Sequence, residues 1–115
     1  MRIAVTSQNF RTITGHAGKS RRFIVYETDG VCDPVEVERL DLPKEMSMHA
    51  YQGSDHPLFA LGLEALVTQG AGAGFLNRME RNGIRVVETS ASDPIEAVKA
   101  VAAGQQLPPA EAHEH

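Results

Sequence analysis

The side chains in this sequence best suited to holding a ligand are its histidines and its single cysteine. An imidazole nitrogen or a thiolate suits soft and borderline metals, which makes His16, His49, His56 and Cys32 the donor inventory. None of them stands at a tight ligand spacing, so any site built from them must be assembled by the fold. His16 lies in the turn Thr14-Gly15-His16-Ala17-Gly18-Lys19, where Gly15 and Gly18 can shape the backbone around an exposed ring. His49 follows Met48 in a stretch without periodicity, and His56 precedes Pro57 at a predicted helix start. Cys32 follows the turn at Gly30 and sits between Asp29 and Asp33, with nothing nearby to lower its pKa, so it reads as structural. His113 and His115 form only a weak metal-binding pattern.

A second feature is Gly70-Ala71-Gly72-Ala73-Gly74, placed between a predicted strand and a predicted helix. Glycines there let backbone amides approach an anion at a helix start, yet the nucleotide fingerprints are broken. Phe75 takes the place of the third dinucleotide glycine, and no lysine followed by serine or threonine completes a triphosphate loop. Glu88 stands where a ribose partner would, which leaves nucleotide binding as a minor alternative beside tight strand–helix packing. Arg11, Lys19, Arg21 and Arg22 gather near the first turn and read as a solvated face able to attract an anionic ligand.

Other chemistries lack their residues. The first strand region, Ile3 to Gln8, contains no acid, and Asp29, Asp33, Asp55 and Asp93 are scattered among unrelated turns, which argues against a metal-dependent nuclease. No G-x-S-x-G elbow supports a serine hydrolase. The chain reads as a non-enzyme. A net charge of −4 opposes a nucleic-acid partner, and no apolar run reaches the ~18 residues of a membrane span. With one cysteine and no signal-peptide core, the reading is cytoplasmic.

The elements that must position these groups follow from periodicity. Ile3-Ala4-Val5 is a buried strand running into a polar loop, and Phe23-Ile24-Val25-Tyr26 is a β-branched and aromatic strand closed by Thr28-Asp29-Gly30. The alternation from Val35 to Leu42 predicts a half-exposed strand antiparallel to it. Pro43 to Asp55 is a loop, followed by a helix from His56-Pro57, capped by Ser54 or Asp55, with Leu58, Leu61 and Ala65 on one face. Ala65 to Gln69 is a strand, and Phe75, Leu76 and Met79 mark a helix that ends at Asn82-Gly83. Ile84 to Thr89 is the last strand. Asp93-Pro94-Ile95-Glu96 opens a final helix by a cap, a proline and a glutamate, with Ile95, Val98, Val101 and Ala102 on one face and Gly104 as its stop.

At 115 residues, 42% apolar and 23% charged, this is one globular domain over 1–104, with 105–115 a flexible tail. The fold class is α/β, a ribonuclease H-like arrangement with a five-stranded mixed sheet and three helices. Its first, fourth and fifth strands run parallel, with their carboxyl ends facing one crevice.

The opening Met1-Arg2-Ile3-Ala4-Val5-Thr6-Ser7, the turn at His16, the strand Phe23-Ile24-Val25-Tyr26-Glu27 and the 70–74 loop, in that order, resemble the dinitrogenase iron–molybdenum cofactor biosynthesis (NifX/NafY-like) family. The resemblance implies a non-catalytic carrier or chaperone for an iron–sulfur or iron–molybdenum cofactor precursor, with cofactor-assembly or nitrogenase proteins as partners. It points to His16 as a cluster ligand, with Gly15 and Gly18 shaping its turn, and an anionic cluster there would gain from Lys19 and from the backbone amides at Gly70, Gly72 and Gly74. His49 and His56 stand as further metal ligands. A fully cysteine-ligated cluster within one monomer is excluded by the single cysteine. A protein-interaction module that keeps the fold without cluster binding is the competing reading.

Overall fold

Ile3-Ala4-Val5 becomes the central strand because every position in it can be buried. In the computed structural model, β1 (Arg2–Thr6) has β2 (Arg22–Glu27) antiparallel on one side and β4 (Leu63–Thr68) parallel on the other. Outside these lie β3 (Val35–Asp41), antiparallel to β2, and β5 (Arg85–Glu88), parallel to β4, giving the order β3-β2-β1-β4-β5. The structure describes residues 1–31, 33–47, 49–51, 53 and 55–109. Cys32, Met48, Gln52, Ser54 and 110–115, with His113 and His115, lie outside them.

Successive strand residues face opposite sides, so the sheet divides the core in two. Ala4, Phe23, Val25 and Leu66 pack on one face with Phe75 and Met79 of α1 (Ala73–Arg81). Ile3, Val5, Ile24, Tyr26 and Val67 pack on the other with Ala97, Val98 and Val101 of α2 (Pro94–Ala102). The crossover through α1 that carries β4 to β5 therefore lies on one face, and α2, which follows β5, lies on the other.

The mixed five-stranded sheet and the parallel trio stand as the residue pattern predicts, but there are two α-helices, not three. The segment expected to be a helix from His56 is a single 3-10 turn, Pro57–Ala60. Gly62, with φ of 68°, breaks the chain there, and β4 already begins at Leu63. The cap also differs: His56 itself accepts from the Leu58 N–H. Two further 3-10 turns, Ala17–Lys19 and Lys44–Met46, interrupt stretches read as loop.

Asp93 caps α2 as its sequence predicts, accepting from the N–H groups of Ile95 at 3.0 Å and Glu96 at 3.3 Å. Ile95, however, is 45% exposed, and the buried face is Pro94, Ala97, Val98 and Val101. The pairing of β3 shifts register between Val25 and Tyr26, which removes Val35 and Val37 from the core and leaves them 62% and 47% exposed at the sheet edge. In the segment read as tail, Leu107 packs on the α2-side core and the Pro108 carbonyl accepts from the Thr89 hydroxyl at 2.6 Å.

Candidate ligand site at the ends of β1 and β4

Each of the parallel strands β1 and β4 ends in a fully buried threonine, Thr6 and Thr68, whose hydroxyl oxygens lie 2.8 Å apart. Both also reach the Thr14 carbonyl, at 2.6 and 3.1 Å. Thr14 begins the turn that carries His16, and its own N–H donates to the Thr6 carbonyl at 2.9 Å. The chain beyond β4 meets this turn directly. Gln69 N–H donates to the Thr14 carbonyl at 3.1 Å, and Ala17 N–H donates to the Gly70 carbonyl at 3.0 Å. A Cβ on Gly15 would stand 3.7 Å from the Gly70 nitrogen, so the two backbones run in close contact.

His16 sits between these two backbone bonds in the left-handed region, at φ 55° and ψ 51°. Its carbonyl accepts from Lys19 N–H at 2.9 Å and from the Ser20 hydroxyl at 3.2 Å. A left-handed histidine is uncommon, and here the neighbouring hydrogen bonds determine it while the ring stays exposed. Gly18 and Lys19 complete the 3-10 turn, with Lys19 exposed beside the histidine in sequence.

Gly70 and Gly72 lead into α1, where Gly72 is the N-cap and Gly74 lies in the first turn. Tight strand–helix packing does not account for these glycines. A Cβ at 70, 72 or 74 would meet nothing within 4 Å, and none of the three has a positive φ. The backbone is bare where neither packing nor conformation requires it. The first turn of α1 carries no acid, so its amides and dipole favour an anion.

His49 reaches the same region through its backbone, whose N–H donates to the Gly18 carbonyl, and the residue is exposed. His56 does not join them. It is fully buried, its Nδ1 accepts from Leu58 N–H at 3.1 Å, and Nε2 lies 2.7 Å from the Met46 carbonyl. That pair of contacts assigns the proton to Nε2 and leaves no lone pair for a metal, which corrects the reading of His56 as a ligand. Its ring packs 5.9 Å from those of Tyr51 and Phe59, and Arg78 lies over Phe59 while donating to the Gly53 carbonyl at 2.8 Å. Burial holds the His56 pKa below its ordinary value, with Arg78 adding to the effect and the Met46 carbonyl and Asp55 opposing it.

The basic cluster read from the sequence is divided. Arg22 pairs with Asp41 at 3.2 Å, donates to the Gln8 carbonyl at 2.8 Å and lies over the Phe10 ring, so it braces the first loop. Among the described residues no three of His, Cys, Asp and Glu converge on a metal position, and Cys32 lies outside those residues. Reasoning from residue types missed Thr6, Thr14 and Thr68. Their signal was a polar residue closing each of two apolar strand runs.

These features define an open α/β domain that presents a loop-borne imidazole and bare backbone amides at the carboxyl edge of parallel strands, where such sheets collect ligands. The chain belongs to the dinitrogenase iron–molybdenum cofactor family, whose sequence profile matches residues 1–104. Among solved structures it is similar to PH0822, at 25% identity and a TM-score of 0.67 over 91% of each chain. It also resembles the NMR structure of TM1290 from Thermotoga, of the DUF35 family, at 17% identity and a TM-score of 0.59 over 98% of this chain and 97% of that one, a likeness of fold. No curated protein matches at a significant level. No helix among the described residues is long and apolar enough to cross a membrane.

Proposed function

We propose that this protein is a non-catalytic carrier or chaperone that holds an iron–sulfur or iron–molybdenum cofactor precursor during nitrogenase-type metallocluster assembly. The observation that carries this reading is His16, exposed and held left-handed between two backbone bonds to the 70–74 loop. An imidazole on a rigid turn supplies one ligand to a soft or borderline metal, while the amides of the glycine segment and the Lys19 ammonium balance an anionic cargo. A single firm donor suits a cargo that must leave again. His49, whose backbone N–H donates to the Gly18 carbonyl, is the candidate for a second, weaker donor. The strand order supports the ribonuclease H-like description, and the family membership supports partners among cofactor-assembly or nitrogenase proteins.

The test is anaerobic addition of ferrous iron and sulfide, followed by desalting and measurement of retained metal and visible absorption. Retention in the parent and loss in His16→Ala is the expected result. A protein-interaction module of the same fold is favoured instead by the lack of three converging metal donors among the described residues. Absence of retained iron in the parent, with capture of a defined assembly protein, would establish that second reading.

A further inference from the structure

Two buried hydroxyls lie at the root of the His16 turn and the 70–74 loop, beneath the backbone bonds that join those loops directly. Thr6 and Thr68 are both fully buried, and each carries one hydroxyl proton. Those two protons have as acceptors the other hydroxyl at 2.8 Å, the Thr14 carbonyl at 2.6 Å from Thr6 and 3.1 Å from Thr68, and, for Thr68, the Gly70 carbonyl at 3.3 Å. Thr68 Oγ1 also lies 3.4 Å from the Gly70 nitrogen, so the same oxygen touches both loops. Thr14 and Gly70 are the residues that flank Gly15, His16 and Ala17 through the Gln69 to Thr14 and Ala17 to Gly70 backbone bonds.

We infer that Thr6 and Thr68 are positioning residues of the site, setting through the Thr14 carbonyl the separation of the His16 ring from the glycine amides. This rests on the carrier reading for its ligand, but the positioning itself is read without one. Valine matches threonine in shape while lacking the hydroxyl. Because either hydroxyl can reach Thr14, one valine leaves the other threonine to substitute, and the pair acts non-additively.

The experiment compares Thr6→Val, Thr68→Val, the double valine variant and the double serine variant, using amide hydrogen exchange by NMR and iron retention after ferrous iron and sulfide. The double valine variant should accelerate exchange at Ala17 and Gln69 by about tenfold, leave Ala97 in α2 unchanged, and lose iron, while each single change has a smaller effect. The double serine variant should restore both readouts. Unchanged exchange at Ala17 and Gln69, equal acceleration in α2, or failure of serine to restore them overturns the inference. So does full iron retention in a variant whose loops have loosened. If the parent itself retains no iron, the carrier reading fails, and exchange alone decides the positioning role. Should the double valine variant not fold, each single valine variant beside its serine counterpart gives the same comparison.

Discussion

Thr6 and Thr68 close two neighbouring parallel strands with their hydroxyl oxygens 2.8 Å apart, and the Thr14 carbonyl bridges them from the next loop. A polar pair buried at this depth must be mutually satisfied, so the loops leaving the two strands are tied at their roots. That tie lets an exposed turn keep an uncommon backbone at His16. It also makes the properties of that turn separable by mutation.

His16→Gly and His16→Ala should part stability from binding. A left-handed non-glycine residue costs about 1 kcal/mol, and glycine loses roughly 0.5–1 kcal/mol more entropy on folding, so His16→Gly should lie within about 1 kcal/mol of the parent. Both variants should lose iron retention, and Cys32→Ser should keep it. Denaturant midpoints and metal analysis on the same samples check this. Loss of iron in the cysteine variant alone would sink the assignment to His16.

His56 should make the protein acid-sensitive. Its pKa is lowered in the fold, chiefly by burial, so the unfolded chain takes up the proton first. Its contribution is complete above the ordinary value of 6.5 and is lost as pH falls below that toward the lowered folded value. Protonation would also set an Nδ1–H against the Leu58 N–H that now donates there. Urea midpoints across about pH 5 to 8 should fall on the acid side in the parent and flatten in His56→Ala, which should itself cost about 2–4 kcal/mol through the lost ring and its two unpaired partners. The same acid slope in both proteins would assign it elsewhere.

Asp93→Ala should lower stability by about 1 kcal/mol, because two N–H groups at the start of α2 lose their acceptor. A midpoint equal to that of the parent counts against the cap as a source of stability.

No cleavage of RNA or DNA is expected with magnesium or manganese. The central strand β1 carries no acid, and Thr6 at its end is committed to Thr68 and Thr14. Reproducible cleavage by pure protein that disappears on substituting a single acid would overturn this expectation.

Local chemistry in the chain was sufficient for much of the architecture. An apolar run at Ile3-Ala4-Val5 suits a buried strand, Gly83 and Gly104 suit left-handed helix stops and take φ of 72° and 73° in the fold, and Asp93-Pro94 carries the local signal for a helix start that the structure keeps. The parallel pairing of β4 and β5 follows from alternation, whereas that of β1 with β4, and with it the meeting of the His16 turn and the 70–74 loop, follows only from the expected sheet arrangement. Tertiary structure decided what periodicity cannot carry. Pro57–Ala60 has helix-like composition, but a nucleus so short is held by Gly62 and by where Leu58 is buried, not by propensity. His56 reads from sequence as an available ligand; only the fold turns both ring nitrogens inward to Met46 and Leu58. Thr6 and Thr68 stand 62 residues apart, and a hydrogen bond between them exists solely because two strands that are distant in the chain become neighbours in the sheet.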